Sequence, residues 1–302
     1  MKLILRKILA WINILRLHNI LLSFIGVLIG VFIVAELSSY NDLSIILMKA
    51  LYVSIPALLV ASAGYISNDY YDIETDKISK PWRPLVRGDI SPKTARIAYI
   101  LMYISAFVYS ICLIGFLTTL FVLFNIFVVE SYNSFFKRKG FIGNIFVSLA
   151  TANLMIYGSL SYAEKFSGLE SFNLNIAYPS LFAFLLTLSR EIIKGVEDIK
   201  GDIIIKAETL AVKLGYKKAA LIALLIEIMI LVILILMFYI RFSMYFVALS
   251  LLTIAIAIYS TQMIFRSNDL NEAIHKAGMS RSLTKISLII GVLSFLIWSL
   301  RI

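Results

Sequence analysis

An asparagine and three aspartates stand at positions 68, 69, 72 and 76 in the stretch NDYYDIETD. On a helix, at about 100° per residue, Asp69, Asp72 and Asp76 fall within about 60° of one another, while Glu74 points to the far side. Three carboxylates on one face repel unless something neutralises them. A divalent cation does so, and Asn68 adds a neutral oxygen beside them. A second set stands in SREIIKGVEDIKGD, residues 189–202, where Glu191, Lys194, Asp198 and Asp202 keep a 3-4-4 spacing that forms one stripe on a helix, with Glu197 about 100° off it. Gly201 is a candidate helix stop, so Asp202 joins the stripe only if the helix runs on past it. Oxygen-only ligand sets suit Mg²⁺, which keeps several waters and is bridged by phosphate oxygens. The chemistry implied is activation of a diphosphate. Lys80, Arg83 and Arg87 in KPWRPLVRG, Lys137 and Arg138 in YNSFFKRKG, and Lys194 and Lys206 are the cations able to neutralise it.

The elements that must position these groups are membrane helices. Of 302 residues, 61% are apolar and 15% charged, and the mean hydropathy is +0.92, outside the range of soluble domains. A spanning helix needs about 20 mostly apolar residues. Such stretches recur near 18–36, 45–66, 95–114, 117–135, 141–160, 176–196, 218–240, 243–264 and 283–300. They are too long and too uniformly apolar for a β-barrel, whose strands alternate over about 10 residues. The expected fold is therefore all-α, a polytopic bundle of nine transmembrane helices forming one domain around a central cavity. Both acidic sets fall at helix ends on the same side, where they are able to face each other across that cavity.

Lys and Arg are in excess in cytoplasmic loops. Only Lys49, Lys165, Arg241 and Arg301 fall on one side of this arrangement, and the other 24 of the 28 fall on the opposite side. With nine spans, this predicts a cell-membrane protein with its N-terminus, acidic sets and cavity mouth cytoplasmic and its C-terminus outside. The same bias is the plainer explanation for any one basic residue, and the net charge of +10 needs no nucleic acid. Residues 1–17 mix Lys2, Arg6, Lys7 and Arg16 with Leu and Ile at helical spacing, which predicts an interfacial amphipathic helix. A single cysteine, Cys112, excludes an internal disulfide, and two histidines, His18 and His275, argue against a zinc or haem site.

The motifs resemble those of the UbiA superfamily of intramembrane prenyltransferases. That family carries NDxxDxxxD after its second span and DxxxD after its sixth, matched here by Asn68, Asp69, Asp72 and Asp76 and by Asp198 and Asp202. KPWRPLVRGDIS and YNSFFKR are similar to the family's intervening loops. REIIKGVEDIKGD followed by KAETLAV most resembles the archaeal branch that makes digeranylgeranylglyceryl phosphate. The resemblance implies transfer of a geranylgeranyl group from its diphosphate to the hydroxyl of 3-O-geranylgeranylglyceryl phosphate. It implies Mg²⁺, two ions bridged by the diphosphate, with Asp69, Asp72, Asp198 and Asp202 as principal ligands and Asn68 and Asp76 supporting. Lys137 and Arg138 are the expected diphosphate contacts, followed by Arg83 and Lys194.

A pocket in an apolar bundle keeps an allylic cation from water. Tyr65, Tyr132 and Tyr157 are candidate ring donors to it, with packing as the plainer role of each. Asn125, Asn144 and Asn153 lie within spans and either line the cavity or bridge helices. A glyceryl phosphate acceptor needs a further basic patch, for which Lys80, Arg87, Lys206, Arg281 and Lys285 are candidates. No residue stands out as a general base. An aromatic prenyltransferase of the same superfamily is the alternative enzyme. A cation transporter is the alternative class, although transporter carboxylates sit near the bilayer midplane rather than at helix ends.

Overall fold

The computed structural model describes residues 2–35, 43–204, 206–240 and 242–300, all helix, turn or irregular chain. Its helices are α1 (Lys2–Leu15), α2 (Leu17–Val34), α3 (Leu43–Tyr71), α4 (Ile73–Ser79), α5 (Pro92–Tyr109), α6 (Phe116–Ser134), α7 (Phe141–Tyr162), α8 (Ala177–Glu197), α9 (Ile199–Ile204), α10 (Leu210–Leu214), α11 (Tyr216–Ile240), α12 (Met244–Phe265) and α13 (Leu270–Ser299). Nine helices among the described residues are long and apolar enough to cross a membrane. Residue 36 of the first expected span, and Arg241 and Arg301, lie outside the described residues.

Two compact units are present, one of Met1–Ser134 with Tyr157–Phe172, the other of Phe135–Ile156 with Asn173–Ile302. In the first, α3 is the centre and packs against α1, α2, α5 and α6. Its backbone carbonyls accept the phenols of Tyr109 (to Tyr52, 3.1 Å) and Tyr157 (to Val53, 2.7 Å). Glu164 closes the start of α6, its two carboxylate oxygens accepting the N–H groups of Leu117 (2.9 Å) and Thr118 (2.7 Å), donors that a helix leaves unpaired at its first turn. Helix α1 breaks from α2 at Arg16, whose φ of 54° is left-handed. Leu5, Ile8, Leu9 and Ile12 form an exposed apolar stripe along α1, while Ala10 and Ile14 are buried.

In the second unit, α12 and α13 pack along each other and α8 packs against both α11 and α13. Small residues bring the backbones together, as membrane helices require. The Cβ position of Gly291 meets Phe182 and Thr253, and Ser287 donates to the Thr253 carbonyl at 2.9 Å. Phe182, Phe246, Phe295 and Trp298 stack beside this contact.

The last helix corrects an expectation. The apolar run near 283–300 is only the second half of α13, which starts at Leu270. Asp269 caps it by accepting the Glu272 N–H at 2.9 Å, and the Glu272 carboxylate accepts the N–H of Asn268, the residue before the cap, at 2.7 Å. The charged residues that read as loop are the polar face of the first turns, where Glu272 pairs with Lys276 at 2.6 Å.

Candidate active site

Helix α3 carries the first acidic set at its end. Asn68 and Asp69 lie in its last turn, Asp72 sits at the junction, and Asp76 follows on α4. The helical path continues across the junction, with Asp72 N–H bonded to Asn68 O at 3.1 Å and Asp76 N–H to Asp72 O at 2.8 Å. Asp69, Asp72 and Asp76 are accordingly buried on one side. Glu74 points away and pairs with Lys77 at 2.7 Å.

The loop 80–91 folds back on this face. Its Arg83 places Nη1 2.8 Å from Asp69 Oδ1, 2.5 Å from Asp76 Oδ2 and 3.9 Å from Asp72 Oδ2. One guanidinium thus serves three carboxylates. Lys80 adds a longer pair to Asp76, 3.7 Å. Arg87 is directed elsewhere and meets Asp89 at 3.2 Å, and Arg6 of α1 donates to the same Asp89 at 2.6 Å.

Two further residues of this set were not singled out from sequence. Arg16, at the break between α1 and α2, donates to Asp69 Oδ1 at 2.6 Å and lies 5.3 Å from the centre of the Tyr65 ring. Asn133 accepts from Asn68 Nδ2 at 3.0 Å while its own amide donates to Gly64 O (2.9 Å) and Ser67 Oγ (2.6 Å). That chain of bonds fixes the Asn68 amide with its oxygen as the end available to a ligand. The signal for Asn133 was present: a polar side chain in an otherwise apolar span is expensive. Tyr132 is half-buried in the last turns of α6. Tyr157 is buried and its phenol is taken by Val53 O. Asn125 bonds back to Phe121 O at 2.8 Å.

The second acidic set lies in the other unit, along α8 and α9. Glu191 is held between Arg190 (2.8 Å) and Lys194 (3.4 Å), with Lys137 also within electrostatic reach. Asp198 is exposed at the junction after α8. The helical path does not stop at Gly201: Asp202 N–H bonds to Asp198 O at 2.9 Å and α9 runs on to Ile204. Asp202 therefore stays on the stripe. Burial pushes its carboxyl above the ordinary aspartate range and the neighbouring Asp198 adds to this, while the Thr209 hydroxyl and Lys194 offset it in part. Lys206 is exposed with φ of 53° in the turn after α9.

Lys137 and Arg138 stand on a short 3-10 turn, Phe136–Arg138. Phe136 stacks on Phe146 with ring centres 4.4 Å apart. Gly140, with φ of 60°, closes the turn where a Cβ would collide with the Glu208 carbonyl, and Glu208 N–H reaches Arg138 O at 3.4 Å. The basic turn is thereby seated on the loop that follows α9. Arg281 and Lys285 lie on α13, where Arg281 pairs with Glu197 at 3.1 Å.

Among the described residues, no three His, Cys, Asp or Glu side chains converge closely enough to hold a metal by themselves. The donor set nevertheless fits Mg²⁺, which binds through one or two carboxylates and completes its shell with water and substrate phosphate. The raised Asp202 beside Asp198 is the arrangement that a cation relieves.

The UbiA prenyltransferase family profile matches residues 23–289. The digeranylgeranylglyceryl phosphate synthase of Hyperthermus butylicus is 33% identical over 290 residues, covering 94% of this chain and 95% of that one. The synthase of the same name from Saccharolobus solfataricus is 35% identical over 291 residues, covering 96% and 97%. A solved structure described as digeranylgeranylglyceryl phosphate synthase in membranes superposes with a TM-score of 0.76 at 23% identity, covering 98% of this chain and 99% of that one. A UbiA homologue from Archaeoglobus fulgidus bound to DMAPP and Mg²⁺ superposes with a TM-score of 0.63 at 17% identity, covering 94% and 98%.

Proposed function

The chain belongs to the UbiA prenyltransferase family, and from that premise we propose that it transfers a geranylgeranyl group from geranylgeranyl diphosphate to the free hydroxyl of 3-O-geranylgeranylglyceryl phosphate. The allylic carbon–oxygen bond to diphosphate breaks and an ether bond to the acceptor oxygen forms. The hydroxyl proton leaves with diphosphate or water. The product carries the second ether bond of an archaeal membrane lipid.

The observation that carries this reading is the gathering of Asp69, Asp72 and Asp76 around one guanidinium, that of Arg83. A buried acidic face already balanced by an internal cation is poised to exchange that cation for another. Asp69 and Asp72 with Asn68 and Asp76, and Asp198 with Asp202, are the residues that would hold two Mg²⁺ ions, whose charge makes the diphosphate a better leaving group. Arg83, once its carboxylates have another partner, has its guanidinium free to turn to phosphate oxygens. Lys137 and Arg138 serve the same diphosphate, and Lys194 with Glu191 orients the stripe beside it. Lys80, Arg87 and Lys206 are the further cations for the phosphate groups of the two substrates. The aliphatic and aromatic helix faces exclude water from the cation. The acidic sets and the N-terminus face the cytoplasm in this reading, following the bias of Lys and Arg.

The acceptor assignment draws on relatives named digeranylgeranylglyceryl phosphate synthase that match nearly the whole chain at 33–35% identity. The test is incubation of purified protein with labelled geranylgeranyl diphosphate and Mg²⁺, with geranylgeranylglyceryl phosphate and hydroxybenzoate offered in parallel and EDTA as control. Metal-dependent ether formation on the glyceryl phosphate is expected. Transfer to the aromatic alone would overturn the acceptor, and transfer to neither would overturn the reaction.

A further inference from the structure

One carboxyl in the membrane-spanning part has no place in the proposed chemistry. Glu227 lies in the middle of α11 and is 0% exposed, a costly position for an acid within a membrane helix. Its Oε1 accepts two hydroxyls from two other helices, Ser189 of α8 at 2.6 Å and Thr261 of α12 at 2.8 Å. Its Oε2 is buried with no hydrogen-bond partner among the described residues. All three residues belong to the unit that carries the second acidic set.

The position of Ser189 on α8 gives the contact its meaning. At about 100° per residue, Glu191, Lys194 and Asp198 lie about 200°, 140° and 180° around the helix from Ser189. The acidic stripe is therefore on the face opposite to the one that Glu227 grips, and the rotation of α8 about its axis decides where that stripe points. Apolar packing alone specifies rotation weakly, since ridges and grooves repeat along a helix. A hydrogen bond to a single fixed oxygen does not repeat.

We propose that Glu227 is a positioning residue: by holding Ser189 from behind and anchoring itself to Thr261, it fixes the rotation of α8 and so aims Glu191, Lys194 and Asp198. The inference rests on the reading that this stripe takes part in holding a metal diphosphate. Groups that orient metal ligands from outside cost about tenfold or more in metal affinity when removed.

The test uses full-length protein in detergent, with Mn²⁺ as a spectroscopic substitute for Mg²⁺ and inorganic diphosphate as ligand. Glu227→Leu and Ser189→Ala are expected to weaken Mn²⁺ binding, read by electron paramagnetic resonance, by about tenfold for the first and less for the second. Both are expected to speed amide exchange across residues 190–198. Glu227→Gln keeps an oxygen acceptor for both hydroxyls and is expected to bind within about threefold of the parent. Lower thermal stability in the variants with unchanged Mn²⁺ affinity and unchanged exchange over 190–198 would reduce Glu227 to a packing role and overturn the proposal. If Glu227→Leu does not fold, Ser189→Ala decides alone. Failure of the parent protein to bind Mn²⁺ and diphosphate would count against the proposed function instead, and the exchange measurement would then decide the role of Glu227.

Discussion

Arg16 and Asp69 form an ion pair of 2.6 Å that joins the break between the first two helices to the end of the third. Asp69 is almost fully buried, and its Oδ1 receives both Arg16 and Arg83. Removing Arg16 leaves a buried carboxylate with half its compensation, a loss of about 1.5–3 kcal/mol for a hydrogen bond to a charged group. Arg16→Ala is expected to lower the melting temperature in EDTA, and Mg²⁺ is expected to recover part of the loss by replacing the missing charge. A thermal scan with and without Mg²⁺ checks this. No change on removing Arg16 would show the pair to be incidental.

Arg83 is expected to act in two opposing ways. Without metal it is the shared partner of Asp69, Asp72 and Asp76, so Arg83→Ala unbalances three carboxylates and lowers stability. With metal it is a competitor for the same oxygens, so the variant is expected to gain more stability from Mg²⁺ than the parent does, following linkage between binding and folding. Turnover is expected to fall because a diphosphate cation is lost. Melting temperature against Mg²⁺ concentration separates the two roles; parallel curves for variant and parent would exclude the competition.

Much of this was legible in the sequence, for physical reasons. Apolar runs near 20 residues locate spanning helices, and the 3.6-residue period puts Asp69, Asp72 and Asp76 on one face and Glu74 on the other, as found. What escaped was set by tertiary contact. Arg16 has the sequence context of an interfacial basic residue, and only the left-handed turn at its own position aims it at Asp69. The start of α13 was hidden because its first turns are charged and carry no hydropathy signal, although the Asp269–Glu272 cap spacing is a readable start. Asn133 and Glu227 were in plain view as polar residues in apolar runs, and their roles depend on partners dozens of residues away.

Asp69→Asn and Asp198→Asn are expected to abolish turnover, by at least about a hundredfold, while leaving folded, extractable protein. Each removes a metal-ligand charge with little change of shape. The assay is single-turnover transfer of labelled geranylgeranyl, accompanied by a melting curve. Near-parental rates in either variant would remove that carboxylate from the metal site.

Gly140→Ala tests the seat of the basic turn. The residue has φ of 60° and faces the Glu208 carbonyl, so a methyl group there meets both backbone strain and a collision. The turn that carries Lys137 and Arg138 must then shift, and weaker diphosphate binding is expected together with reduced stability. Lys137→Ala leaves the turn in place and is expected to weaken diphosphate binding alone. Equal effects of the two on stability would mean that Lys137 holds the turn rather than the ligand.

Asp202 supplies a prediction in pH. Its carboxyl titrates above the ordinary aspartate range because of burial and Asp198, so the folded protein holds that proton to higher pH than the unfolded chain does. The stability it contributes is present below the unfolded aspartate value and is lost as pH rises through the folded one, leaving a charge at neutral pH that the metal-free fold tolerates poorly. Asp202→Asn keeps the shape and removes that charge. In EDTA at neutral pH the variant is therefore expected to melt higher than the parent, and the difference is expected to shrink as the pH falls into the range where Asp202 is protonated. With Mg²⁺ and diphosphate the order should reverse, since the parent alone has the full ligand set. A variant less stable than the parent in EDTA would mean that the carboxylate supports the fold, and that the strain assigned to metal binding is not there.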